Sequence, residues 1–106
     1  MDHPRLSMVV KGFLRGRYRL TAHAEQERED DAISRREIVE AFGSHSIEII
    51  EDYPNDPRGA SVLVLAFNQQ GSPLHAVIGL GDPDIVVIVT IYRPDPAHWE
   101  NWRQRL

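Results

Sequence analysis

From residue 47 to residue 92 the apolar residues recur with a period of two, in four runs of seven or eight residues: 47–53 (IEIIEDY), 60–67 (ASVLVLAF), 74–80 (LHAVIGL) and 85–92 (IVVIVTIY). Such alternation describes strands whose successive side chains point to opposite faces of a sheet. The intervening segments, PNDPRG, NQQGSP and GDPD, are turn sequences too short for crossovers. The second half of the chain is therefore expected to form a four-stranded antiparallel meander. The most apolar part is the hairpin 74–93, and its polar exceptions are His75, Thr90 and Tyr92.

The first half carries helical spacing instead. Leu6, Val9, Val10, Phe13 and Leu14 predict a helix over 5–15 that Gly16 stops. RYRLT (17–21) is a short extended piece. Thr21 can cap a polar helix over 22–31, in which His23 and Glu27 share a face. Ser34-Arg35-Arg36-Glu37 is a capping box before Ile38, Val39, Ala41 and Phe42, with Gly43 as the stop. At the C-terminus Asp95 can cap a short helix with Pro96 in its first turn and Trp99, Trp102 and Arg103 at helical spacing. The expected fold is one α+β domain over residues 1–106. Its N-terminal helices pack on one face of the sheet, and the short C-terminal helix follows.

Two assumed registers sort the sheet. With residue 80 opposite 85 and residue 67 opposite 74, one face collects Leu63, Leu65, Phe67, Leu74, Ala76, Ile78, Leu80, Ile85, Val87, Val89 and Ile91. The helices should cover that face. The other collects Val62, Val64, Ala66, His75, Val77, Gly79, Val86, Ile88, Thr90 and Tyr92. Left open, it is a shallow surface with a polar corner; covered, it leaves His75 a satisfied buried group.

Charge restrains the functional reading. The net charge is −4, unlike a strong nucleic-acid binder. Residues 1–19 nevertheless concentrate Arg5, Lys11, Arg15, Arg17 and Arg19, while 25–31 concentrate Glu25, Glu27, Glu29, Asp30 and Asp31. Either the basic start binds a polyanion, or the two segments pair with each other. The chain has no cysteine, which excludes disulfides and thiolate metal sites and fits a cytoplasmic protein. No run suits a membrane span. A metal site would have to combine His23, Glu27 and His75, which lack ligand spacing, so no cofactor is expected.

A histidine and a tyrosine at a sheet edge, with arginines beside them, suffice for metal-independent RNA cleavage. The reaction needs a base for the 2′-hydroxyl, an acid for the leaving oxygen, and cations for the developing phosphate charge. His23, His75 and Tyr92 are the catalytic candidates, Arg58 and Arg93 the phosphate ligands, and Thr90 and Glu27 the supporting groups. Two other readings compete. One is a non-catalytic interaction module that docks a protein or a second copy through the open face and the Trp99/Trp102 helix, giving a homodimer in the latter case. The other is a structural role for both histidines.

LTAHAEQERED, ISRREIVEAF, EIIEDYPNDPRGASVLVLAF, GSPLHAVIGL and VIVTIYRPDPAHW, in that order over residues 18–103, resemble the bacterial domain-of-unknown-function family 4258. The resemblance implies a fold similar to the RelE-type and MqsR-like toxins, with helices against a curved antiparallel sheet. Those proteins are ribosome-dependent or free mRNA interferases neutralised by an antitoxin. Relatives of this kind are often encoded beside a small zinc-finger antitoxin-like protein. His23, Arg58, His75, Thr90 and Tyr92 fall on the matching motifs. Glu27-Arg28 replaces the Arg-Met or Glu-Met pair of many relatives, so no catalytic role passes to Arg28.

Overall fold

A computed structural model describes residues 5–106. In chain order the elements are α1 (Leu6–Leu14), β1 (Tyr18–Leu20), α2 (Ala22–Asp30), α3 (Arg35–Phe42), β2 (Glu48–Tyr53), β3 (Ser61–Phe67), β4 (Pro73–Gly79), β5 (Val86–Tyr92), β6 (Trp99–Glu100) and β7 (Gln104–Arg105). The anticipated helix caps form: Thr21 Oγ1 accepts from Ala24 N–H and Ser34 Oγ from Glu37 N–H, 3.1 and 3.0 Å.

The sheet is five-stranded and mixed, in the order β1-β5-β4-β3-β2. This corrects the four-stranded antiparallel expectation. The three residues of RYRLT that become β1 pair parallel with β5, Tyr18 opposite Val86 and Leu20 opposite Ile88. Three residues are too few for alternation to reveal a strand. The C-terminal helix is also replaced. Residues 99–105 form a separate two-stranded hairpin, β6–β7. Asn101 and Trp102 adopt positive φ, 51° and 62°, and Arg103 N–H donates to the Glu100 carbonyl at 3.0 Å. Two such residues in succession make the mirror-image turn that matches strand twist. Tertiary anchors override the helical spacing: Arg103 pairs with Glu48 and Arg105 with Glu51.

Both assumed registers are corrected as well. Phe67 faces Pro73, not Leu74, so His75 faces Leu65. Gly79 faces Val87, and an irregularity between Val77 and Ile78 leaves Val89 without a partner and sets His75 opposite Tyr92. The faces of β3 therefore exchange, and so do those of the first part of β5, where Val86 and Ile88 turn inward and Val87 and Val89 outward. Val62, Val64 and Ala66 join Leu74, Ala76, Ile78, Val86, Ile88 and Ile91 in the core. Leu63 and Leu65 turn to the opposite, outer face, where they too are buried. A strand buried on both faces carries no polar alternation to fix its register.

Helices α1 and α3 cover the inner face, through Leu6, Val9, Val10, Phe13, Ile38, Ala41 and Phe42. Helix α2 does something else: it runs along the part of the β5 edge that the short β1 leaves uncovered. Thr21 N–H donates to Ile88 O, and Thr21 Oγ1 donates to Val89 O. Glu27 Oε1 accepts from Ile91 N–H at 3.1 Å and Asp31 Oδ2 from Arg93 N–H at 2.9 Å. The polarity of α2 thus satisfies backbone groups that a neighbouring strand would otherwise take. No helix among the described residues is long and apolar enough to cross a membrane.

Candidate functional site

The outer face divides into two parts. At one end β4 and β5 bring His75 and Tyr92 side by side, and the β6–β7 hairpin lies over them. His75 is fully buried. Its Nε2 lies 2.8 Å from the Trp102 carbonyl oxygen and its Nδ1 lies 3.1 Å from the Tyr92 hydroxyl. A carbonyl only accepts, so Nε2 carries the proton and Nδ1 accepts from the tyrosine O–H. The Trp99 ring meets the imidazole edge-on, with centroids 4.5 Å apart. Burial holds His75 below the usual histidine range, despite the opposing pull of the Trp102 hydrogen bond and Glu51, and pushes the Tyr92 phenol up. This end is a neutral, satisfied hydrogen-bond chain.

That chain makes stability depend on pH. A histidine depressed in the folded state stays neutral there while the unfolded chain takes a proton near pH 6.5. Its contribution is complete above that value and is lost as pH falls toward the folded-state pKa. One group produces a slope of at most about 1.4 kcal/mol per pH unit. Urea denaturation from pH 7 downward should show this loss before the paired carboxylates titrate. The His75→Leu variant should flatten it; an unchanged slope would place the loss elsewhere.

The other end of the outer face is open. Val77, Val87 and Val89 form a half-buried apolar floor with Gly79, which supplies no side chain. The Asp56–Ser61 and Gly81–Pro83 turns bound a groove of about 650 Å³. Arg19 and Arg58 also line it, both exposed. Arg58 has one loose carboxylate neighbour, Asp56, at 3.6 Å. Arg19 has no ion pair or hydrogen-bonded side-chain partner among the described residues.

The candidate residues therefore fall into separate places. His75 and Tyr92 meet, with Thr90 on the same face opposite Val77. Arg58 lines the groove that also holds Gly79, and Gly79 is about 13 Å along β4 from His75 at ~3.3 Å per residue. His23 is on the outside of α2, its side chain 70% exposed and its Nε2 3.3 Å from Glu27. Glu27 links it to the β5 edge one residue before Tyr92, but no hydrogen bond joins His23 to His75 among the described residues.

Arg93 is occupied. Its guanidinium forks onto Glu37 at 2.8 and 2.9 Å and donates to the Asp31 and Ala32 carbonyls. It clamps the α2–α3 corner to the end of β5. Trp99 is not a free docking group either, being 6% exposed against His75. No cluster of three or more metal-ligating side chains occurs among the described residues.

Sequence reasoning had Arg19 only within the basic start, and Val77 and Gly79 on the open face, but it put Val87 and Val89 on the helix-covered face and so did not assemble this groove. The signal was present: Arg19 sits between Tyr18 and Leu20, which pack toward the core, so it must face away from them. Glycine within a strand also marks a place where something can approach the backbone.

No curated protein and no solved structure matches the chain. The family model described as "Domain of unknown function (DUF4258)" matches residues 20–93, from the end of β1 through the last strand of the sheet to Arg93. With most of its length covered by that match, the chain belongs to the DUF4258 family.

Proposed function

We propose that this protein engages single-stranded RNA on the open half of its outer sheet face, as an endoribonuclease of the mRNA-interferase type. The observation that carries the reading is the groove itself: two exposed arginines stand beside an apolar floor that bases can cover. Arg19 and Arg58 bind phosphates, and the valines and Gly79 receive the faces of bases. His23 is the proton-transfer group accessible to a strand, with Glu27 orienting its ring. His75 and Tyr92 position the strands around the groove from beneath the hairpin. A neutralising protein of antitoxin type would compete for the same face.

The test uses an RNA oligonucleotide, its all-deoxy counterpart, and the wild-type, Arg58→Ala and His23→Ala proteins. Cleavage should need the 2′-hydroxyl. Arg58→Ala should weaken binding about tenfold, as expected for loss of a charged hydrogen bond. His23→Ala should bind RNA but cut at least about 100-fold more slowly. Intact RNA after incubation with wild type rejects the nuclease reading. Equal cutting by folded His23→Ala rejects the role of that residue.

A further inference from the structure

The groove accounts for Arg19 but not for three of the four cations that precede it; the fourth, Arg5, pairs with Asp52. Lys11, Arg15 and Arg17 are exposed, and none has an ion pair or a hydrogen-bonded side-chain partner among the described residues. The acidic helix does not neutralise them. Glu25 is taken by Arg28 and Arg35, Glu27 by His23 and the Ile91 N–H, and Asp31 by the Arg93 N–H.

The end of α1 gathers these cations. Arg15 N–H closes on the Lys11 carbonyl and Arg17 N–H on the Gly12 carbonyl. Gly16 makes the reversal at φ +69°. The three side chains border a depression of about 160 Å³ against the β4–β5 turn. Pro83 of that turn lines both this depression and the groove. The two concavities are neighbours across one residue.

Three carboxylates border the same surface, Asp56, Asp82 and Asp84. Two are already engaged by their own turns. Asp56 accepts from Arg58 N–H and Ser61 Oγ, and Asp82 from Asp84 N–H. Asp84 stands beside the depression, which disfavours a small free anion seated there. A chain of phosphates passing over the rim meets the cations without entering.

We infer that Lys11, Arg15 and Arg17 extend the groove into one continuous phosphate track, so that the bound strand runs from Arg58 past Arg19 and over the end of α1. This rests on the RNA reading of the groove and adds the strand's path and length. In a chain of net charge −4 these exposed, unpaired cations make a local positive surface, and a polyanion is the ligand that uses them in a row. Counterion release supplies the measure. Each phosphate contact to a single strand contributes about 0.7 to the slope of log affinity against log salt.

The experiment is fluorescence anisotropy with labelled 2′-deoxy-oligouridylates, which lack the 2′-hydroxyl that cleavage needs, of about 4 and about 12 nucleotides, within the range of single-strand site sizes. Salt is varied from about 50 to about 200 mM, where such slopes are read. The proteins are wild type, Lys11→Ala/Arg15→Ala/Arg17→Ala, and Arg19→Ala/Arg58→Ala. Arg15→Lys/Arg17→Lys serves as the charge-keeping control. The triple variant should bind the short oligomer like wild type. On the long one its slope should fall by about 2, so salt weakens it about twentyfold less over that range. The lysine control should keep the wild-type slope. An unchanged slope in the triple variant overturns the track. If Arg19→Ala/Arg58→Ala leaves the short oligomer's affinity untouched, the groove reading fails instead. Vesicles of phosphatidylserine and phosphatidylcholine provide the last arm. Vesicle binding without oligonucleotide binding overturns both readings in favour of a membrane surface.

Discussion

Trp99→Ala should remove about 3 kcal/mol of stability and bring His75 into contact with water. Trp99 is buried at 6% exposure, with the His75 imidazole 4.5 Å from its ring and the Arg105 guanidinium 4.7 Å over it. Truncating a buried tryptophan costs about 3–5 kcal/mol. The lower end applies because the hairpin lies near the chain end and can relax. For a domain of this size that is a fall in melting temperature of roughly 12–24 °C. Losing the hairpin would also remove the Trp102 carbonyl from Nε2. His75 should then titrate closer to pH 6.5, since burial is the main cause of its depression. Thermal melts give the first effect and an NMR titration of the imidazole gives the second. Trp99→Phe should recover most of the stability. An alanine variant with unchanged melting and titration would mean the hairpin does not hold this end of the sheet.

The second large effect separates structure from binding among the arginines. Arg93→Ala should cost about 2 kcal/mol while leaving RNA affinity unchanged. Four guanidinium hydrogen bonds disappear, two of them to Glu37, whose carboxyl they hold below the usual range. Hydrogen bonds to charged groups contribute about 1.5–3 kcal/mol each. The side chain is 36% exposed, so water offsets much of that sum. Arg58→Ala should do the reverse: little change in melting, with loss of affinity. Its side chain is 88% exposed and its single ion pair is long. Chemical denaturation and anisotropy on the same two variants decide the matter. An Arg93→Ala protein that is stable but binds poorly would return Arg93 to the phosphate-ligand role.

What could be read from the sequence was whatever chemistry acts locally. Thr21 and Ser34 cap the helices they precede because an N-cap needs only its own next three residues. The four main strands appear within a residue or so of their apolar runs. What depended on pairing between distant segments was not legible. Val62–Ala66 is buried on both sides, so alternation could not say which side met the helices. Val89 falls at an irregularity that no turn residue announces, and it decides that Tyr92 reaches His75. The spacing of Trp99, Trp102 and Arg103 read as helical, but the hairpin they form is held through Arg103 and Arg105 by Glu48 and Glu51, some 50 residues away. Among the candidate site residues, the face shared by His75, Thr90 and Tyr92 was readable. The occupation of Arg93 by the α2–α3 corner was not.

Helix α2 also settles where the sheet stops growing. A sixth strand beside β5 would satisfy the same donors but present a fresh row of its own, so the open edge would merely move outward. A helix keeps its own backbone groups to itself and offers side chains instead. The two repeats are commensurate. Four helical residues advance about 6 Å and two strand residues about 6.6 Å, so Glu27 and Asp31 match alternate donors Ile91 and Arg93. The segment 21–31 is therefore a terminator for the hydrogen-bond lattice. Along β5 past the end of β1, the donors of Ile91 and Arg93 are thus taken by α2, among the described residues, and are not offered to a strand from another chain.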